Sequence, residues 1–157
     1  MKPLTPHFSW AEVTQSSTAS RCGIDNSVPP ELEPAALNTA KGVEQVRYAL
    51  RSLPISIDSW YRCLALNRKL GSKDTSQHLK GEAVDFICPA FGTPEAVCKH
   101  LLGYRNLIKW DQLIFEHTWV HISWNSIPDG VQRGQVLSLL SDGRYAIGIT
   151  SASGNPL

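Results

Sequence analysis

Glu82-Ala83-Val84-Asp85-Phe86-Ile87-Cys88, closed by Pro89, is the stretch on which the fold class turns. Branched and aromatic residues in a short run between Gly81 and Pro89 read as a strand. Side chains alternate along a strand, so Ala83, Asp85 and Ile87 share one face. An acid on a strand of otherwise apolar residues is costly to bury unless it is paired or bound to a metal. Upstream, Ile55-Ser56-Ile57-Asp58-Ser59 alternates apolar and polar, as a half-buried strand does. Downstream, Gln112 to Phe115 and Trp119 to Trp124 read as two strands with a tight connection. Val136 to Leu140 and Tyr145 to Ile149 flank Ser141-Asp142-Gly143, a hairpin signal.

Helices lie outside these strands. Leu32, Ala36, Ala40, Val43, Val46, Leu50 and Leu53 form one apolar stripe at helical spacing, ended by Pro54. Ser9 and Glu12 stand at capping-box spacing and start a short helix at Trp10. Leu64 to Leu70 reads as a short helix ended by Gly71. Thr93-Pro94-Glu95 opens another that runs to about Leu102, with Gly103 after it. Ser16 to Asn26 is small and polar and reads as loop. The order predicts an α+β fold, a mainly antiparallel sheet with helices packed on it. One domain over 1–150 is expected, with 151–157 as a flexible tail.

A chain of 157 residues with 42% hydrophobic content fits one globular core and excludes global disorder. A net charge of +1 leaves no electrostatic footprint for nucleic acid or an anionic membrane. No apolar run reaches the roughly 18–20 residues of a membrane span, so no membrane insertion is expected. Behind Met1-Lys2-Pro3 no apolar segment follows, so no secretory signal is read. Cys22, Cys63, Cys88 and Cys98 form no C-x-x-C pair, which argues against a zinc ribbon. Four cysteines allow three pairings, and without a signal they read as reduced thiols. The five tryptophans read as core or as groove lining.

Three segments carry chemistry. His78 precedes the turn at Gly81, and Asp85 follows within the strand. Two such ligand types across a turn can converge on one ion; they also read as a loop histidine and a strand-end acid. In the strand after Thr118, Trp119, His121 and Ser123 alternate with Val120, Ile122 and Trp124. If that strand neighbours the one with Asp85, His78, Asp85 and His121 make a three-ligand N2O set with a position left for water, the catalytic arrangement of zinc. Glu116, across the short connection, is placed to act as general base, or is a solvated turn carboxylate. The third segment is Ser59-Trp60-Tyr61-Arg62.

Ser76-x-His78-x-x-Gly81-x-Ala83-x-Asp85 resembles the S-x-H-x-x-G-x-A-x-D signature of the peptidase M15 family of zinc D-Ala-D-Ala carboxypeptidases and phage endolysins. Trp119-Val120-His121-Ile122-Ser123 resembles its second signature, and Ser59-Trp60-Tyr61-Arg62 its upstream S-x-Y-R element. The resemblance spans about Phe8 to Trp124, and Phe8 to Asn26 is similar to the start of short phage and prophage members. It implies the Hedgehog-type D-Ala-D-Ala carboxypeptidase fold, with one zinc ion on the sheet held by His78, Asp85 and His121. It also implies Glu116 and Arg62 as catalytic residues, and Arg62, Ser76 and Trp119 as binders of a peptidoglycan stem peptide. Arg62 also reads as a structural ion pair and Ser76 as a loop cap. Many family members carry an acid three residues before the last histidine, where this chain has Thr118. His117 reads as a turn histidine, a metal ligand or a support for one. The expected protein is a monomeric murein peptidase, kept in the cytosol until released to the wall. A catalytically degenerate wall-binding module is the alternative.

Overall fold

The computed structural model describes residues 3–127 and 130–157. Met1-Lys2, and the Pro128-Asp129 part of the loop 126–134, lie outside the described residues. In chain order the elements are α1 (Trp10–Thr14), α2 (Ser17–Cys22), α3 (Glu33–Ala49), β1 (Ser56–Ser59), α4 (Leu64–Lys69), β2 (Ala83–Ile87), α5 (Pro94–Leu101), α6 (Arg105–Ile108), β3 (Gln112–Phe115), β4 (Val120–Ser123), β5 (Gln135–Leu139) and β6 (Tyr145–Ile147). The strands form one sheet in the order β1-β2-β4-β3-β5-β6. Every pairing is antiparallel except β3 with β5, which is parallel. The fold is therefore α+β on a mixed, mostly antiparallel sheet.

The strand period divides the sheet into two faces. Ile57, Val84, Phe86, Leu113, Phe115, Val120 and Ile122 join Ala36, Ala40, Val43 and Val46 of α3 in one core. The same α3 residues form the apolar stripe visible in the sequence, and each is fully buried. On the other face one register row runs Ser59, Asp85, His121, Ile114, Leu137 and Ile147 from β1 to β6. The polar members of that row define the site. In β1 the register slips between Ile57 and Ser59, leaving Asp58 as a bulge.

Four of the five tryptophans belong to the core or pack on it. Trp60, Trp110 and Trp124 are buried, and Trp10 packs against them. Each buried indole N–H finds a carbonyl: Trp60 donates to Gly81 at 3.2 Å, Trp110 to Gln135 at 3.0 Å and Trp124 to Ile108 at 3.2 Å. Gly42 of α3 lies against the Trp124 ring where a Cβ would collide with it.

Local departures from the sequence reading have simple causes. The polar stretch Ser16–Asn26, expected as loop, contains α2, because the Ser16 hydroxyl accepts the Ala19 N–H at 3.1 Å and Gly23 ends the helix with φ +63°. The long helix stops at Ala49 and not near Leu53, as Arg51 and Ser52 adopt φ of 60° and 57°. Leu53 still packs on the core from the following turn. Beyond α5, a 3-10 turn over Leu102–Tyr104 leads into α6, which the glycine at 103 does not prevent. Residues 151–157 fold back: Ser141 N–H donates to Ala152 O at 2.9 Å and Leu157 N–H to Ile149 O at 3.1 Å. All four cysteines are free, and burial pushes the Cys98 thiol up to about 12. No helix among the described residues is long and apolar enough to cross a membrane.

Candidate metal centre

Asp85 and His121 are direct cross-strand partners on β2 and β4. His121 Nδ1 stands 2.9 Å from Asp85 Oδ1. His78 arrives from the 3-10 turn Gln77–Lys80, which begins where the Ser76 hydroxyl accepts the His78 N–H at 3.3 Å. Gly81 then takes φ +70° to turn the chain into β2, a conformation that favours glycine. Its carbonyl accepts hydrogen bonds from Thr39 Oγ1 at 2.9 Å and from the Trp60 indole, tying the turn to α3 and the core. The ligand atoms of His78, Asp85 and His121 all lie within 4.8 Å of one another, and all three residues are buried.

The donor chemistry of this cluster fits a metal cation. The Trp60 backbone carbonyl lies 2.6 Å from His78 Nδ1, and a carbonyl can only accept. The proton of neutral His78 is therefore on Nδ1, and the Nε2 lone pair faces Asp85 Oδ2 at 3.3 Å. Protonating Nε2 would relieve two acceptors in contact, but burial holds His78 below the usual histidine range against the pull of Asp85. Burial also opposes the charge on Asp85, yet the flanking imidazoles of His78 and His121 outweigh it and keep its carboxyl far below the usual range. A lone pair and a carboxylate converging in a buried pocket, with a second imidazole beside them, suit zinc. A carbonyl on the far ring nitrogen is the kind of outer support that histidine ligands have in metal sites.

Arg62 stands at the edge of the triad. Its Nη2 donates to Asp85 Oδ2 at 3.0 Å, Nε to Ser59 Oγ at 2.9 Å and Nη1 to Ser72 Oγ at 3.1 Å. Its backbone N–H donates to the His78 carbonyl at 3.1 Å. Asn26, buried, accepts from Cys63 N–H at 2.8 Å and donates to the carbonyls of Thr14 and Tyr61 at 3.0 Å each, gripping both neighbours of Arg62. Neither Ser72 nor Asn26 was legible as a site residue, since each lies in a polar stretch with no periodicity. Ser59 was legible only within the S-x-Y-R element.

The remaining expected residues gather around one cavity of about 610 Å³, which Arg62, Ser76, His78, Asp85, Glu116, Trp119 and His121 help to line. Ser76 is both a cap and a part of this wall. Glu116 begins the β3–β4 connection, and its carboxylate accepts a hydrogen bond from the Trp119 indole. Burial first, and then the Asp85 charge, push the Glu116 carboxyl above the usual range; His121, Trp119 and Arg62 pull the other way. Trp119 remains 36% exposed. His117 is a turn histidine: it takes φ +65°, and its Nε2 lies 2.7 Å from the Leu139 carbonyl of β5. It is not part of the triad. Thr118 is exposed. Burial and the charge of Asp85 raise the Asp58 carboxyl of the β1 bulge.

The sequence model of the family described as Peptidase M15 matches residues 6–123, three quarters of the chain. No curated protein matches it.

Proposed function

Since the chain belongs to the peptidase M15 family, whose members are zinc metallopeptidases acting on peptidoglycan, we propose that it hydrolyses peptide bonds of peptidoglycan stem peptides, as a carboxypeptidase or an endopeptidase. The proposal includes the D-Ala-D-Ala carboxypeptidase-like, Hedgehog-type fold and one catalytic domain over 1–150, working as a monomer at the cell wall as a phage or prophage lysis enzyme. The observation that carries it is the buried convergence of the His78 Nε2 lone pair on the Asp85 carboxylate beside His121.

His78, Asp85 and His121 would hold one zinc ion. Bound zinc supplies Lewis acidity, lowering the pKa of a ligated water towards about 7 and polarising the scissile carbonyl. Glu116, lining the same cavity, takes the proton of the attacking water and delivers it to the departing amine. Its raised pKa suits that exchange, because a base nearer neutrality returns its proton more readily. The Trp119 indole orients the carboxylate by its hydrogen bond. Arg62, fixed by Ser59, Ser72 and Asp85, keeps a guanidinium beside the carbonyl oxygen on which charge develops. The protein is incubated with purified murein after zinc loading, with and without chelator. Soluble peptide products that disappear with chelator support the proposal, and none in any zinc-loaded sample rejects it.

One observation favours a second reading. Thr118 occupies the position where many relatives carry the catalytic acid, and it faces solvent. A wall-binding module would retain murein at equilibrium and release nothing from it.

A further inference from the structure

Two lobes of a cleft meet at Asp85 of the triad. The larger is the cavity of about 610 Å³ described above, which His78 and His121 also line; the second has about 230 Å³. Both lobes share Arg62, Asp85 and Trp119, so the two adjoin at the edge of the proposed reaction centre. The smaller lobe is bounded by Gln15, which follows α1, by Thr18 of α2 and by Asp58 of the β1 bulge. A bulge adds a residue to one strand and re-aims its side chain, and here it puts a carboxylate on the rim of the cleft.

We infer that the protein is an endopeptidase that binds chain on both sides of the cut bond, with the smaller lobe taking an ammonium-bearing residue at the Asp58 carboxylate. The inference rests on the peptidase reading above. A carboxypeptidase must seat one terminal residue and neutralise its carboxylate close to the metal. In the smaller lobe the ionic groups are Asp58, Asp85 and Arg62, two carboxylates against one guanidinium, so the lobe is net negative and suits an amine better than a second carboxylate. Asp58 has no salt-bridge partner among the described residues and would repel a terminal carboxylate while attracting an amine. The larger lobe has the size of sites that enclose extended ligands, and one terminal residue would leave most of it empty. Its far wall is apolar and aromatic, from Leu137, Leu139 and Tyr145 of β5 and β6. Its two further cations are Arg133, already forked onto Asp111, and Lys73, which is exposed.

Muropeptides still attached to their sugars, and so blocked at the N-terminus, are digested by the zinc-loaded full chain in two forms. One form has free stem-peptide C-termini and the other has them amidated. Mass spectrometry should show the same interior bond cut in both, at rates within about tenfold. Release of single terminal residues from the free form alone overturns the endopeptidase inference while leaving the peptidase reading intact. Cleavage of neither form rejects both. Asp58→Asn, with zinc content and melting temperature unchanged, should raise KM about threefold to fivefold for substrate with free side-chain amines, the scale of an exposed ion pair. It should leave KM unchanged for substrate whose amines are acetylated. An equal effect on both substrates overturns the role of Asp58.

Discussion

Asp85 and Asp111 are both buried, both carried by the sheet region and both paired with an arginine, yet they serve different ends. Asp111 meets only donors. Arg133 gives it a backbone N–H at 2.9 Å and a guanidinium fork with contacts down to 2.7 Å, and Gln77 Nε2 adds a bond at 3.1 Å. Burial opposes the Asp111 charge, and these bonds outweigh it. Such a carboxylate is satisfied, and it fastens the loop before β5 to the start of β3. Asp85 has a donor in Arg62, but the same Oδ2 also faces the Nε2 of His78, an imidazole nitrogen whose proton is on the far atom. The neighbours Gln77 and His78 thus serve the two acids in opposite ways, one as donor and one as acceptor. An arginine beside a buried aspartate is therefore uninformative alone; what separates a structural acid from a metal ligand is whether any partner is another acceptor.

The largest expected effect breaks this comparison directly. Asp85→Asn should reduce zinc from one ion per chain to none after dialysis, and turnover should fall by at least about 10⁴-fold. Asp111→Asn should keep its zinc. Elemental analysis of both variants decides, and loss of zinc from folded Asp111→Asn would abolish the distinction. Next in size is Glu116→Gln, which should keep zinc and lower kcat by about 10²–10⁴-fold. Unchanged kcat would remove Glu116 from the mechanism. For stability the ranking reverses towards Asp111. Asp111→Asn leaves donors of Arg133 and Gln77 facing a weaker acceptor and should cost about 1–3 kcal/mol in denaturant unfolding. Arg133 is half exposed and recovers part of that loss from water. The smallest effect concerns pH. The Glu116 pKa is raised and the proposed mechanism uses its carboxylate form, so kcat/KM should fall as pH drops through a value above the ordinary glutamate range of about 4.3. Trp119→Phe removes a bond that favours the carboxylate, and the acid limb should move up by at most about one pH unit. Movement downward would refute the orientation of that bond.

Much of this was legible because local chemistry and tertiary structure agree. The α3 stripe and the alternation in β1 record burial in their own periodicity, and the strand around Asp85 shows in its run of branched and aromatic residues between Gly81 and Pro89. The Asp85–His121 pairing needed one further step, the adjacency of β2 and β4, which periodicity cannot supply. The parallel join of β3 to β5 was not legible, because the hairpin signal at Ser141-Asp142-Gly143 orients β5 against β6 only. α2 was passed over because serines and threonines suit loops and caps equally, and only Ser16 and Gly23 mark its ends. Ser72, Asn26 and the Asp58 bulge owe their places to long-range geometry. The proton on His78 depends on a backbone carbonyl, and no residue type encodes that.

The hairpin of β5 and β6 lies wholly beyond residue 123, where the family match ends, yet β5 pairs with every residue of β3. Without it β3 would be an edge, with unpaired backbone groups along Gln112–Phe115 and the apolar Leu113 and Phe115 beside them. Bare edges of that kind recruit strands from other chains. The hairpin passes the edge to β6, which is short, ends after Ile147 and is followed by Gly148 at φ +87°. A chain shortened to the family-matched region would thus lose a wall of the cleft and gain a tendency to aggregate.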